Sequence, residues 1–280
     1  MISIQASTFA QVHRELQEAM NAAPPVRTER WQGIAANTDT YELQNVCFEV
    51  PLNGVEDLDH YRSDISPSLP WADDHFLERV CGEPINPGVQ WANWPYGLSA
   101  SKFRSSSSSV QRFNHNYMER LWPKFARRTD DGKLPISWKN QTRKYPDKDP
   151  RPKYGIAHFY GDLQDVVDLI SKEPYTRQAY IPLFFPEDTG KGDGGRKPCT
   201  IGYQFTVRED KLHIWYPLRS CDFIRHWRDD CYMAVRLLLW VLDECRKLNP
   251  EFWNKVTPGT YAMHMTSLHI FVSDRISKGA

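Results

Sequence analysis

The chain has 280 residues, with 35 basic (Lys+Arg) and 35 acidic (Asp+Glu) side chains and a formal net charge of zero. With 40% hydrophobic and 25% charged residues, its composition excludes both a disordered chain and a membrane-embedded one. The longest apolar run, Leu237 to Leu242, is far shorter than the roughly 20 residues of a membrane span. Because the net charge is zero, we expect no overall attraction to a nucleic acid.

The N-terminal half alternates short regular elements with polar segments. In chain order the patterns predict a helix at 8–20, a strand at 41–50, a loop at 53–70, a helix at 73–80, irregular structure at 82–88 and a helix at 110–121. Residues 127–153 are dense in charges and proline, which predicts an exposed insertion.

The C-terminal half has clearer periodicity. Apolar residues at helical spacing predict helices at 162–172 and 230–247, and alternation around a polar turn predicts a hairpin of strands 200–207 and 211–218. Strands and helices are intermixed without a repeated βαβ unit, so we expect an α+β fold, and the length allows one large domain or two small ones.

The six cysteines form no CxxC pair and no cluster with the ligand spacing of a zinc site. Since we find no secretion signal either, we expect reduced thiols, a cytoplasmic protein and no metal.

Two cysteines stand beside polar residues that could take part in catalysis. Cys199 begins the hairpin and Arg219-Ser220-Cys221-Asp222 follows it, so an arginine could stabilise a nucleophilic thiolate. The alternative is a buried cysteine and a surface Arg–Asp pair.

This arrangement resembles the thymidylate synthases and the related pyrimidine nucleotide hydroxymethylases. That family carries a Pro-Cys nucleophile, then a hairpin, then an Arg-Ser-x-Asp segment 20 residues after the cysteine, which is the interval from Cys199 to Arg219. Further segments that resemble the family, in its order, are Arg30, Trp122 with Phe125, Tyr154-Gly155, Pro174 to Gln178, and Leu268 to Phe271.

The resemblance implies a single domain over residues 1–280 with a large twisted mixed sheet flanked by helices, and a homodimer formed through the face of that sheet. It also implies that Cys199 adds to carbon 6 of a pyrimidine nucleotide, and that carbon 5 then attacks the one-carbon unit of 5,10-methylenetetrahydrofolate. The implied substrate contacts are Arg219, Ser220, Arg177 from the other subunit, Arg30, Tyr154 and His269, and the implied folate contacts are Trp122 and Phe125. Asp222 is implied to be a catalytic residue that lies between the base and the folate and orients both.

The residue at position 230 bears on the choice of base. Counted from Arg219 without a gap, the asparagine with which the family reads uracil falls on Asp230, and the resemblance implies that deoxycytidylate hydroxymethylases have aspartate there. A carboxyl group can accept from the amino group of cytosine and, when protonated, donate to ring nitrogen 3. The alternative is that Asp229 or Asp230 caps the helix at 230–247.

A hydroxymethylase must also activate a water molecule, for which a carboxylate is the usual base. Glu78, on the helix at 73–80, is our candidate for the family's catalytic glutamate. Asp74 and His75 are competitors because the spacing to Gly82 does not fix the register. Glu78 could equally be a helix surface residue.

The sequence thus predicts a homodimeric, folate-dependent 5-hydroxymethyltransferase that acts on dCMP or CMP. One alternative is a thymidylate synthase or a dUMP hydroxymethylase, if Asp230 does not read the base. Another is an inactive nucleotide-binding or DNA-associated protein that uses the basic stretch 139–153. Retention of Cys199 and Arg219 argues against an inactive protein, because simple binding does not need the thiol.

Overall fold

The computed structural model describes residues 1–31, 34–86, 88–90, 115–126, 161–190 and 197–276. The strands are β1 (Ile2–Gln5), β2 (Pro25–Trp31), β3 (Ile34–Pro51), β4 (Tyr180–Pro182), β5 (Gly202–Arg208), β6 (Lys211–Leu218), β7 (Cys221–Asp222) and β8 (Thr257–Phe271). The helices are α1 (Phe9–Ala22), α2 (Leu58–Ile65), α3 (Trp71–Arg79), α4 (Tyr117–Leu121), α5 (Pro123–Ala126), α6 (Leu163–Lys172), α7 (Pro186–Gly190), α8 (Trp227–Leu248), α9 (Pro250–Trp253) and α10 (Val272–Ile276).

The described strands form one mixed sheet. Its order is β1-β3-β8-β6-β5-β4, with β2 paired to β3 and β7 paired to β8. Strands β3 and β8 run antiparallel from Thr40 opposite Phe271 to Pro51 opposite Thr260, whereas β6 and β7 run parallel to β8. Parallel and antiparallel pairs in one sheet, with helices packed on it, confirm the predicted α+β class.

The long helix α8 contacts β6 and β8 of the sheet as well as α2, α3 and α6. Its apolar residues are buried at nearly every turn, including Ala234, Leu238 and Leu242 at 0% exposure. Alternation along β3 sends Val46, Phe48 and Val50 into the same core. Burial of apolar side chains between α8 and the sheet is the main stabilising contribution to such a layered fold.

The strongest sequence patterns are confirmed as α1, α3, α6, α8 and the β5–β6 hairpin, with ends shifted by a few residues. The predicted strand 41–50 is the second half of a longer strand, β3. The predicted loop 53–70 is wrong over α2, where the sequence is polar and only Tyr61 and Ile65 are buried. Only α4 of the predicted helix 110–121 is described, and the predicted insertion 127–153 lies outside the described residues.

Candidate functional site

The hairpin β5–β6 brings Cys199 and Arg219 side by side at its open end. Thr200, just before β5, forms an antiparallel bridge with Leu218 at the end of β6. The backbone N–H of Arg219 donates to the carbonyl of Cys199 at 2.9 Å. The Arg219 guanidinium donates through Nε to the carbonyl of Pro198 at 2.8 Å, and its Nη2 lies 4.0 Å from Sγ of the half-buried Cys199. The structure therefore places a cation next to the candidate nucleophile, as the sequence predicts.

Ser220 and His269 lie together where β7 meets β8. The Ser220 hydroxyl is 3.4 Å from Nδ1 of His269, and both side chains are partly exposed. Burial lowers the pKa of His269 to about 4, so its imidazole is neutral at physiological pH. Phe271, two residues further along β8, is buried with the Arg225 guanidinium over its ring at 4.9 Å. Ser220 and His269 thus form a polar pair one residue from Arg219.

Asp222 is buried and has a local structural role in the free protein. One of its carboxylate oxygens accepts the backbone N–H groups of Ile224 and Arg225, both at 3.0 Å. Burial raises the pKa of Asp222 to about 6. Its carboxylate therefore holds the turn that leads from β7 into α8.

Asp229 and Asp230 do not cap α8, because the helix begins at Trp227 and its N-cap is His226. Asp229 accepts the backbone N–H of Ser68 at 2.7 Å, which ties α8 to the segment before α3. Asp230 is partly exposed, and its Oδ2 lies 3.9 Å from Sγ of Cys221. The capping alternative for this pair is wrong, whereas a base-reading role for Asp230 remains a prediction.

Two hydroxyl groups that sequence reasoning did not identify, those of Tyr117 and Tyr216, lie close to Thr200, the residue after Cys199. The Thr200 hydroxyl donates to the hydroxyl of Tyr117 at 3.3 Å and is 2.9 Å from that of Tyr216. Burial, and then the charges of Cys199 and Asp230, raise the pKa of Tyr117. Tyr117 therefore lies within electrostatic reach of both the candidate nucleophile and the candidate base reader. No sequence motif marks it.

Helix α3 contributes a buried chain of polar groups. Arg79 donates through Nε to Nε2 of His75 at 3.1 Å, which leaves Nδ1 of His75 to donate to Oε2 of Glu78 at 3.2 Å. Burial, and then the charge of Arg79, lower the pKa of His75 to about 4. Glu78 also accepts the backbone N–H of Gln90 at 3.3 Å, whereas Asp74 is exposed.

Of the remaining predicted residues, the structure describes the side chains of Trp122 and Arg177. Trp122 is 4% exposed and donates its indole N–H to the carbonyl of Arg79 at 2.9 Å, so it is a core residue in this structure, and a folate contact by it stays a prediction. Arg177 is exposed near the far end of β5. Arg30 lies on β2 and Phe125 on α5, but their side chains fall outside the described part, as does Tyr154 altogether.

Across the described ranges, no His, Cys, Asp and Glu side chains gather in a group of three or more that could bind a metal ion. Within the same ranges, every helix is too short or too polar to cross a membrane.

Comparisons with known proteins agree on one family. The model of the family described as thymidylate synthase matches residues 101–271. A curated protein of Methanococcoides burtonii, named "Putative thymidylate synthase", is 27% identical over 112 residues, which are 40% of this chain and 46% of that protein. The chain therefore spans about half the length of this curated relative.

Among solved structures, thermostable thymidylate synthase A from Bacillus subtilis is similar with a TM-score of 0.58 and 14% identity, over 98% of this chain and 82% of that one. At this identity the likeness shows the fold alone. The family match covers more than half of the chain and includes Cys199, Arg219, Asp230 and His269. The chain belongs to the thymidylate synthase family.

Proposed function

We propose that the protein transfers a one-carbon unit to carbon 5 of a cytosine nucleoside monophosphate, dCMP or CMP, and releases the 5-hydroxymethyl nucleotide. The observation that carries this proposal is the half-buried Cys199 thiol, 4.0 Å from the Arg219 guanidinium at the open end of the hairpin. A thiol beside a fixed cation is suited to nucleophilic addition. Simple nucleotide binding would not need it.

The proposed chemistry begins with a bond from the Cys199 sulfur to carbon 6 of the pyrimidine. The electron pair of the 5,6 double bond moves to carbon 5, which attacks the methylene group supplied by methylenetetrahydrofolate, the co-substrate of the family. Carbon 5 then loses its proton and tetrahydrofolate leaves, so that an exocyclic methylene remains. Water adds to that methylene, and the bond between sulfur and carbon 6 breaks to restore the ring and the thiolate. No net oxidation or reduction occurs.

The proposed base reader is Asp230, in the first turn of α8. A carboxylate offers acceptors only, which suits the exocyclic amino group of cytosine and opposes the carbonyl of uracil at the same ring position. Its closeness to Cys221, two residues after Arg219, supports a location at the same site. The sugar is proposed to lie against Ser220 and His269.

Glu78 is the proposed base that activates the water. Hydrogen bonds from His75 and Gln90 fix both of its carboxylate oxygens, and the side chain is only 8% exposed. A carboxylate held in this way is oriented before the substrate arrives, as general-base catalysis requires. Asp74 is a poorer candidate because it is exposed on α3.

The product of the reaction tests the proposal directly. We expect dCMP incubated with the protein and methylenetetrahydrofolate to gain one CH₂O unit by mass spectrometry. Cys199→Ser should abolish both the product and the release of hydrogen from carbon 5, because the hydroxyl of serine is a far weaker nucleophile. Cys81→Ser, at an exposed cysteine, is the matched control. A gain of CH₂, or turnover of dUMP in place of dCMP, would overturn the assigned product or base.

Replacement of Asp230 tests the base assignment. Asp230→Asn supplies both a donor and an acceptor, so we expect the ratio of kcat/KM for dCMP to that for dUMP to fall by about 100-fold or more. Asp243→Asn, at an exposed position of the same helix, should leave that ratio unchanged. If the ratio does not move in the Asp230 variant, this residue does not read the base.

A further inference from the structure

Arg79 is one of the most deeply buried charged residues in the described part of the chain, with 6% of its surface exposed. Its Nε is used by His75, and its guanidinium lies over the ring of Tyr117, 4.6 Å from the ring centre. These two contacts fix the plane of the guanidinium. They leave the two Nη groups, with four N–H donors, to be accounted for.

Within the described ranges, neither Nη atom of Arg79 has a hydrogen-bond or ion-pair partner. Arg120, which is buried to a similar extent at 9%, donates through both Nη atoms to the carboxylate of Asp188. Because a buried guanidinium without acceptors carries a desolvation cost, its open donors mark a place where a ligand would be bound favourably.

Arg79 also lines a small cavity. Its other lining residues include Tyr117, Tyr203, Met233 and Leu237. Among the described side chains only Trp227 Nε1 is fully enclosed without a partner, so the Nη atoms of Arg79 remain reachable by a small polar group. Arg79 thus combines unpartnered Nη donors with a position in the wall of a small space that aromatic rings help to shape.

Asp230 lies next to this cavity. It is one turn before Met233 and two turns before Leu237 on α8, and residues at this spacing share a helix face. The charges of Asp230 and Arg79 also act on the same hydroxyl groups, those of Tyr117 and Tyr203, where Asp230 raises the pKa and Arg79 lowers it. The nucleophile Cys199 acts on the hydroxyl of Tyr117 as well.

We propose that Arg79 is a second specificity-determining residue, which donates to ring nitrogen 3 and the neighbouring carbonyl of cytosine while Asp230 accepts from the exocyclic amino group. The inference rests on the proposed function. Cytosine presents one donor followed by two acceptors along this edge, and a carboxylate followed by a guanidinium is the matching sequence of groups. A protonated carboxyl group is then unnecessary.

The same pair would reject uracil at two positions. The carbonyl at position 4 of uracil would face the Asp230 carboxylate, and the ring N–H at position 3 would face the donors of Arg79. A site discriminates strongly against a wrong base when that base leaves buried polar groups without a partner. It discriminates weakly when the wrong base only loses an attractive contact.

The test removes one atom of the ligand and one side chain of the protein, first separately and then together. The two probes are dCMP and its 3-deaza analogue, in which C–H replaces ring nitrogen 3, and their affinities are measured by calorimetry without folate. We expect the wild-type chain to bind dCMP about 10- to 100-fold more tightly, the range for one hydrogen bond to a charged group. Arg79→Met should bind both probes with nearly equal affinity.

Arg120→Met is the matched control, because it also removes a buried guanidinium stacked on an aromatic ring, that of Phe185. It should keep the wild-type ratio between the two probes. If Arg79→Met keeps that ratio too, or if the wild-type chain does not distinguish the probes, the inference is overturned. The comparison of the two probes on the wild-type chain needs no variant, so it can overturn the inference even if Arg79→Met does not fold.

The result also separates this inference from the proposed function. A wild-type chain that hydroxymethylates dCMP while Arg79→Met retains the full preference for dCMP over its 3-deaza analogue overturns only the role of Arg79. A wild-type chain that binds and converts dUMP in preference to dCMP overturns the cytosine assignment, and the role of Arg79 with it.

Discussion

Arg219 serves two purposes at the residue scale. Its Nε and Nη2 groups donate to the carbonyls of Pro198 and Lys197, at 2.8 and 3.0 Å, and so hold the loop that ends in Cys199. Its Nη2 also lies 4.0 Å from the sulfur of Cys199, where its charge would favour the thiolate that the proposed addition needs. Lysine has a single ammonium group in place of the planar fork, so it could not reproduce both functions. The position of the candidate nucleophile is thus fixed by the fold itself.

His75 is the residue on which the free energy of folding should depend most visibly on pH. It is 1% exposed and lies between the guanidinium of Arg79 and the carboxylate of Glu78, and burial holds its pKa at about 4. In an unfolded chain a histidine titrates near pH 6.5. Between these values the unfolded state binds a proton that the folded state does not. The stability linked to this group is therefore complete above about pH 6.5 and is lost as the pH falls to 4.

We expect His75→Gln to reduce this acid sensitivity. Between pH 7.5 and 5 the wild-type free energy of unfolding should fall by about 2 kcal/mol more than that of the variant, given the two pKa values. Urea unfolding at the two pH values measures the difference, and His60→Gln, at an exposed position on α2, controls for the substitution itself. Equal losses for the wild-type chain and His75→Gln would show that His75 is protonated in the folded state.

At the scale of whole elements, one carboxylate joins three helices. Asp73 on α3 accepts from Arg62 of α2 at 2.7 Å, and from Tyr232 and Arg236 of α8 at 2.7 and 2.6 Å. Arg236 is 11% exposed and also lies over the ring of Phe76 at 4.3 Å. This network holds α3 against α8, the two helices that carry Arg79 and Asp230. It therefore fixes the distance between the two proposed base readers.

We expect Asp73→Asn to destabilise the protein by about 3 kcal/mol, because it leaves the largely buried Arg236 and the partly buried Arg62 without a counter-charge. Asp74→Asn changes the adjacent exposed carboxylate and should cost less than about 0.5 kcal/mol. Chemical denaturation of the two variants gives the comparison. A similar small loss for both would mean that solvent satisfies Arg236 when Asp73 is replaced.

The elements that the sequence predicts correctly are those whose local pattern is also their packing pattern. The β5–β6 hairpin alternates around a polar turn, and α8 has an apolar stripe along its whole length. Helix α2 was missed because most of its residues are polar and only two are buried. The first half of β3 was missed for another reason, since its strand conformation depends on pairing with β2, a distant partner.

The candidate site likewise contains residues that the sequence predicts and residues that only the structure brings together. Cys199 and Arg219 could be paired from sequence because a hairpin of known length separates them. Arg79 and Tyr117 come from different segments, and only the packing of α3 against α4 places one over the other. A signal for Arg79 did exist. It occupies the apolar face of α3, four residues after His75, where a charged residue needs a partner.

The arrangement of the whole molecule supports the proposed homodimer. One row of side chains crosses five strands on the same face of the sheet, and each member is wholly or partly exposed in the described part of the chain. The row consists of Glu49, Ala262, Trp215, Gln204 and Tyr180, which are paired in register. Trp215 is 44% exposed at the centre of this row.

A second copy of this chain on a two-fold axis would cover this face. Trp215→Arg would place a charge in that interface, so we expect it to shift the sedimenting species from dimer to monomer.

The described strands place Arg177 away from Cys199 of the same chain. Its carbonyl accepts from Gln204, and the chain before it runs toward Arg208, so Arg177 lies near the end of β5 opposite to Cys199. At about 3.3 Å per residue the two are separated by roughly 20 Å along the strand. If Arg177 binds the phosphate of the substrate, we therefore expect it to do so in the site of the partner subunit of the proposed homodimer.

Mixing two inactive variants tests this sharing of the site. Cys199→Ser removes the nucleophile and Arg177→Ala removes the cation supplied to the partner, so each homodimer should be nearly inactive. In a mixed dimer, one site combines an intact Cys199 with an intact Arg177 from the other chain, and the second site lacks both. After subunit exchange at equal concentrations, half of the dimers are mixed and each has one working site, so about a quarter of the wild-type activity should return. A mixture of Cys199→Ser with a Cys199→Ser, Arg177→Ala double variant has no complete site and is the control. If activity does not return although mass spectrometry shows mixed dimers, the two residues do not serve the same site across the interface.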